Sequence, residues 1–496
     1  MKIKLNFIII SILFFISTNS VNSQEMLGIV NSNYSGVNST LINPASMLNS
    51  KLFFDFNIAS VDIFAQNNYT YLSKKDYKFS RFFKLNPTFP KHEPDNEINY
   101  YDINSTDSKN AYINIRTIGP SAMFIFYNHA FSIHTSLRTI VQAKNIPYNI
   151  AIQAYKGIDY EPLQNINFDN NNYNFTELSW TEIGFSYAYS FYCKRKDYLS
   201  AGITINKLYA YSGTYFKFNN TKYKVTNDTT LTINNIDGEL GFSLPLDYNK
   251  NKFINNKPYI NDIRGKGWSF DIGITYQKKI HEISNRHKKN ICEKKYQDYK
   301  YRVGISLLDI GKINFNKNAQ KHYLDNVSHT INNVNKENFT NINNLIKDFS
   351  YRFYNDSTQS FQSDNFSIAL PSAISLQFDY RYKKNWYFNS SLFYSLKINN
   401  EGQIKRPGII SITPRYENYN FEVNMPISLY EFTEPRIGLS VRLYNITIGT
   451  DKLGGLFNFS DFYGFDAYFS LKISLIKGRC FKLKRWTPCS NYEYKY

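Results

Sequence analysis

Long hydrophobic runs are nearly absent from this chain of 496 residues. After the first two dozen residues nothing approaches the roughly 18 consecutive apolar residues a spanning helix needs, so no helical membrane bundle is expected. Cysteine is scarce as well. Cys193, Cys292, Cys480 and Cys489 are scattered and form no CxxC pair, which excludes a disulfide framework and a zinc ribbon. Cys480 and Cys489, close together in a polar tail, are the one candidate disulfide. No G-x-S-x-G, P-loop, G-x-G-x-x-G or H-E-x-x-H occurs, so neither enzymatic chemistry nor a cofactor is expected. His281, Glu282, His287 and Cys292 share one basic connection, but their spacing fits no zinc signature and reads as a solvated turn.

Aromatic residues are abundant instead. They make up 17% of the chain, with 42 Tyr and 40 Phe. A membrane barrel with two aromatic girdles uses such a composition. Lys2 and Lys4 precede the apolar run Phe7–Ile16, and Val21 and Ser23 suit a cleavage site. The reading is a signal peptide over 1–23, with cleavage near Ser23 and export toward the outer membrane. The formal charge of +18 could point to nucleic acid. The cations fall mainly in turns of an exported protein, so they read as simply solvated or as meeting membrane lipid and lipopolysaccharide, the expected partners; nucleic acid is not expected.

The dominant pattern has a period of two. In the stretch AISLQFDYRY, Ile374, Leu376, Phe378, Tyr380 and Tyr382 alternate with Ser375, Gln377, Asp379 and Arg381. That is a strand with one apolar face. The pattern recurs about fourteen times, near 51–64, 111–127, 131–142, 180–192, 199–212, 267–280, 299–315, 367–382, 386–397, 408–417, 420–430, 436–443, 446–451 and 463–476. Short connections alternate with long ones, the long ones near 65–110, 143–179, 213–266 and 316–366. One connection, 281–298, is longer than the other short ones.

An all-β, transmembrane antiparallel barrel over 51–476 follows, with short periplasmic turns, long outer loops and a periplasmic tail at 477–496. A further hairpin is expected near 222–243. The insert 317–365 reads either as a solvated loop or as carrying one short amphipathic helix with Val334, Phe339, Ile342, Leu345, Ile346 and Phe349. Phe378 should face lipid and Gln377 the lumen, so Arg should be tolerated at 377 and not at 378. Asp55, Arg138, Asp271, Arg302, Asp379, Arg381, Arg415, Arg442 and Asp466 fall on the lumen phase, where they are expected to pair across strands.

Residues 34–57 read YSGVNSTLINPASMLNSKLFFDFN, with Asn43-Pro44-Ala45 just before the first strand. Further phrases are GWSFDIGITY (267–276), YRVGISLLDIGKINFN (301–316, with Asp309 and Gly311), RPGIISITPRYE (406–417) and IGLSVRLYNITIGTDKLGGL (437–456). Together they resemble an uncharacterised Bacteroidota outer-membrane barrel family, a domain of unknown function within the FadL/OmpP1-like superfamily. The resemblance implies fourteen strands and an N-terminal segment, 24–50, folded into the lumen as a small plug held by Asn43, Pro44 and Ala45. It also implies a hydrophobic ligand that leaves sideways through the wall. The segment before the first strand is shorter than in FadL itself. Two function classes remain open: a barrel that binds or passes a small hydrophobic molecule, or a non-transporting barrel. The latter would bind secreted or surface proteins, as a type IX secretion accessory does, or serve in structure or adhesion.

Overall fold

The computed structural model describes residues 25–75, 100–103, 105–170, 172–250, 252–253, 262–281, 296, 298–333, 341–399, 401–456 and 460–475. Within them fourteen antiparallel strands close into one barrel. They are β1 (Phe54–Asn67), β2 (Lys109–Ile118, continuing as Ser121–Phe126), β3 (His129–Ile146), β4 (Tyr173–Lys194), β5 (Asp197–Asn227), β6 (Gly265–Lys279) and β7 (Tyr299–Phe315). The rest are β8 (Phe366–Ala369, then Ala373–Lys383), β9 (Trp386–Ser395), β10 (Ile409–Glu417), β11 (Phe421–Asn424, then Ile427–Tyr430), β12 (Glu434–Ile437, then Leu439–Leu443), β13 (Ile446–Thr450) and β14 (Gly464–Leu475). Pairing of β1 with β14, from Phe54↔Leu475 to Gln66↔Gly464, closes the ring and removes both sheet edges.

The period-two pattern sets the two faces. On β8, Leu376 and Phe378 are 40% and 45% exposed, whereas Gln377 and Asp379 are 8% and 1% exposed. Ile133, Phe185, Ile272, Ile305, Ile412 and Ile448 repeat the outward phase around the wall. No helix among the described residues is long and apolar enough to cross a membrane. Proline marks breaks in three strands, at Gly119-Pro120 in β2, Pro371 in β8 and Pro426 in β11. Each lacks the N–H that a ladder requires. Strand β13 is only five residues long, against the nine to eleven or so of a full tilted crossing. Above it, β12 and β14 have no strand between them, and the segment from Asp451 to Leu456 occupies the slot.

The long-loop end is more ordered than the sequence suggests. Strand β5 runs for 31 residues and hairpins into a strand at Thr230–Ser243, which pairs in turn with Gln320–Asn332. The expected loop at 213–266 is therefore largely a raised sheet, and the loop at 143–179 shrinks to 147–172 because β3 and β4 extend. Aromatic and β-branched residues continue to alternate beyond the barrel wall and favour continued pairing. Helix α1 (Leu27–Val30) lies in the lumen, α2 (Tyr148–Lys156) crosses the rim between β3 and β4, and α3 (Ile342–Tyr354) packs beside the raised sheet. Val334 and Phe339 lie outside the described residues. So do the signal segment, most of the 281–298 connection including His287 and Cys292, and the tail with Cys480 and Cys489.

Candidate functional site

Residues 25–50 sit inside the barrel, nearly all buried. After α1 they form two 3₁₀ turns, Gly36–Leu41 and Pro44–Asn49. Asn43 caps the second. Its backbone is extended, its side chain accepts from Ala45 N–H at 3.0 Å, and Pro44 occupies the first turn, where a missing N–H costs nothing. The same side chain reaches the wall. Asn43 Nδ2 donates to Gln377 Oε1 at 3.0 Å, and more loosely to the carbonyls of Ile274 and Ile305. One amide thus links the plug to β6, β7 and β8.

Glycines in the wall admit this turn. Gly202 on β5 and Gly273 on β6 are register partners, and Gly304 on β7 pairs with both Thr275 and Gln377. A Cβ on Gly202 would lie 2.6 Å from Ala45 N and 2.7 Å from Pro44 C. A Cβ on Gly273 would overlap Asn43 Oδ1. The Asn43-Pro44-Ala45 turn therefore lies in a recess of bare backbone.

The rest of the plug is held by the charged lumen residues. Asn31 O accepts from Arg302 Nη2 at 3.1 Å and Arg415 Nη1 at 3.0 Å, and both guanidinium groups also bond Asp379. Asn33 Nδ2 donates to Glu417 at 2.6 Å, Ser32 Oγ to Glu422 at 2.8 Å, and Val37 N–H to Asp55 at 2.8 Å. Leu27 N–H donates to Asp451, which itself accepts from Tyr468. Higher in the lumen Glu25 pairs with Arg406. Arg406 touches Asp309, and Asp309 takes a two-pronged bond from Arg138, which also meets Glu182. Buried charges persist only when paired in this way.

The expected residues divide accordingly. Asn43, Pro44, Ala45, Asp379 and Arg415 are in direct contact with the plug or with one another. Asp309 (φ 52°) and Asp271, which accepts from Asp309 N–H, belong to the network above it. Arg442 lies over the Tyr34 ring at 4.5 Å and bonds Glu422. Gly311 serves wall packing against Trp268 O. Arg381 pairs with Asp298 at the short-turn rim, away from the plug. Sequence reading missed Glu25, Glu417, Glu422, Arg406 and the three glycines. Glycine on the lumen phase of three adjacent strands was the available signal.

The plug fills the short-turn half of the lumen. A cavity of about 10 Å³ remains among Val30, Ile42, Arg302 and Gln377, and one of about 30 Å³ beside Tyr34 and Lys472. Each is on the scale of a single water. Above the plug the charged network is interleaved with apolar side chains, Phe64, Tyr112, Trp180, Leu208, Phe315 and Phe366. A larger, open cavity of about 360 Å³ lies at the outer rim, lined by Ala111, Ala143, Ile146, Ala151 and Ala154, with Tyr69 and Tyr155 at its side and Thr70, Lys109 and Asn110 at its edge. Ala111 and Ala143 are register partners on β2 and β3, and α2 supplies Ala151 and Ala154. Asn67 lines it too. The neighbouring Gln66 turns inward, donates to Glu434 at 3.3 Å and accepts from Lys452. These three side chains clasp the slot above β13. No three His, Cys, Asp or Glu side chains converge as a metal site among the described residues.

A family model described as a family of unknown function, DUF5723, matches residues 44–451. No curated protein matches the chain. Similar solved structures include the TodX deltaS2S3 mutant monoaromatic hydrocarbon channel, at 9% identity and TM-score 0.42 over 89% of this chain and 95% of that one. The Ralstonia pickettii toluene transporter TbuX gives 9% and 0.37 over 92% and 96%. A Pseudomonas aeruginosa FadL homologue gives 8% and 0.22 over 92% and 98%.

Proposed function

This chain belongs to the family of unknown function DUF5723, and from that premise we propose that it is an outer-membrane barrel that captures a small hydrophobic molecule and guides it inward without a covalent step. The observation that carries this reading is the rim cavity of about 360 Å³ with its alanine and tyrosine lining. Burying about 200 Å² of apolar ligand there yields roughly 5 kcal/mol, a dissociation constant near the millimolar to sub-millimolar range before ordering costs. That is suited to capture and release. From the cavity the route runs past Asn67 to the clasp of Gln66, Glu434 and Lys452, where the short β13 leaves the outer half of the wall without a continuous ladder. Parting a few side-chain hydrogen bonds there is cheaper than parting strands. The plug then closes the path to water and ions. Short turns face the periplasm and long loops face outward in this reading.

The small lumen cavities favour a second reading, a barrel without a conduit whose raised sheet binds a secreted or surface protein. Delipidated protein in detergent separates the two. Saturable binding of a labelled monoaromatic or acyl probe, abolished by Ala151→Trp, supports capture. Absence of saturable binding, with a stoichiometric protein recovered from envelope extract through the raised sheet, supports the second.

A further inference from the structure

Among the described residues the short-turn rim is electrically lopsided. From β4 to β9 its turns and strand ends carry Lys194, Arg195, Lys196, Lys278, Lys300, Lys383 and Lys384. The remaining turns, Tyr127-Asn128, 418–420 and Tyr444-Asn445, carry no charge. The basic half is contiguous. Lys279 N–H donates to Lys196 O, Lys278 opposes Tyr301, and Lys383 opposes Trp386. Two carboxylates face these cations among the described residues. Asp197 is taken by Lys278 at 2.7 Å, and Asp298 by Arg381 at 3.1 Å. Lys194, Arg195, Lys196, Lys383 and Lys384 stay exposed.

Just inside this arc the outward phase turns aromatic. Tyr192, Tyr382 and Trp386 are exposed, and Tyr276 stands beside Tyr301. Amphipathic rings in such a row mark the boundary between hydrocarbon and headgroups. The cations therefore stand at headgroup level, with stems long enough to reach phosphates. We propose that the β4–β9 half of the short-turn rim is a binding surface for anionic phospholipid headgroups, and that the barrel carries a one-sided annulus of such lipids. The inference rests on the membrane reading above and not on any hydrophobic ligand, so capture can fail while this holds.

The test uses the full chain in nanodiscs of mixed phosphatidylcholine and phosphatidylglycerol, with retained lipids counted by native mass spectrometry. Phosphatidylglycerol should be retained preferentially. The preference should fall by about fivefold for each cation removed at the surface, and therefore collapse in Lys194→Gln/Lys196→Gln/Lys383→Gln/Lys384→Gln. It should also fade in molar salt, where the Debye length shrinks to about 3 Å. Equal retention of the two lipids, or a folded quadruple variant with undiminished preference, would overturn the proposal. Should the quadruple variant misfold, Lys383→Gln/Lys384→Gln carries the same test.

Discussion

Substituting Gly202 by alanine tests whether the recess holds the plug. The added methyl would sit 2.6 Å from Ala45 N and 2.7 Å from Pro44 C. Both are backbone atoms, so no rotamer change relieves the overlap, and the turn must retreat by most of an ångström. The two looser bonds of Asn43 Nδ2, at 3.3 and 3.4 Å, are then lost. Overpacking costs about 1–3 kcal/mol, and a poorly satisfied buried amide adds about 1–3 kcal/mol. A gain of roughly 0.5–1 kcal/mol from replacing glycine in a strand offsets part of this. The plug should loosen by about 1–5.5 kcal/mol while the wall, which uses only the backbone of residue 202, stays closed. Hydrogen exchange at the amides of Val37, Ala45 and Ser46 should speed up by roughly fivefold to several thousandfold, since each 1.4 kcal/mol is a factor of ten. Gly304→Ala is the internal control. Its methyl meets the far end of the Gln377 side chain and Asn43 Nδ2, which can rotate aside, so its effect should be smaller. Unchanged protection in Gly202→Ala, or the opposite order of the two variants, would refute the reasoning.

Phe378→Arg should impair barrel folding by about 2–4 kcal/mol in heat-modifiability gels. Gln377→Arg should leave the barrel closed but dislodge Asn43, and identical behaviour of the two variants would contradict the assigned faces. Arg406→Met strands Glu25 and Asp309 without their shared cation, so it should destabilise the plug by about 3–5 kcal/mol, with partial recovery in Arg406→Met/Glu25→Gln; thermal melting reads both. In a cysteine-free background, an impermeant maleimide on intact cells should label a cysteine at Asp228 and not one at Asn128, and the reverse would invert the orientation. Burial between Phe242 and Phe361 pushes the His322 imidazole down to about 4, against about 6.5 when unfolded. The raised sheet should therefore keep its full stability above about pH 6.5 and lose it as pH falls toward 4. Exchange at 320–332 measures this, and His322→Gln should flatten the dependence.

All fourteen strands were legible in the sequence, because a wall between lipid and lumen enforces a period of two along its whole length. Ile374, Leu376 and Phe378 against Ser375, Gln377 and Asp379 is the pattern at its plainest. What fills the lumen was less legible. Gln377 reads the same whether it faces water or the plug, so its bonds to Asn43 and to Ile42 O were not foreseen. Arg381 shares the phase of Asp379 yet stands at the rim, because phase gives the face and not the depth. The raised sheet was partly hidden because strand pattern past the membrane looks like loop once membrane length is assumed. The rim cavity depends on where α2 lies across two alanines, which no local pattern encodes.

The plug is the first part of the described chain, yet its anchors come last. Leu27 bonds Asp451 across a separation of 424 residues, and Gly28 bonds Ser440 across 412. Until β12 to β14 exist and β14 has met β1, Leu27 N–H and Gly28 O lack these two partners. Contacts this distant form late, after the loop-closure entropy of nearly the entire chain has been met. The first turn of the plug is therefore tied to the last strands of the chain, and its hydrogen bonds there belong to the closed barrel alone.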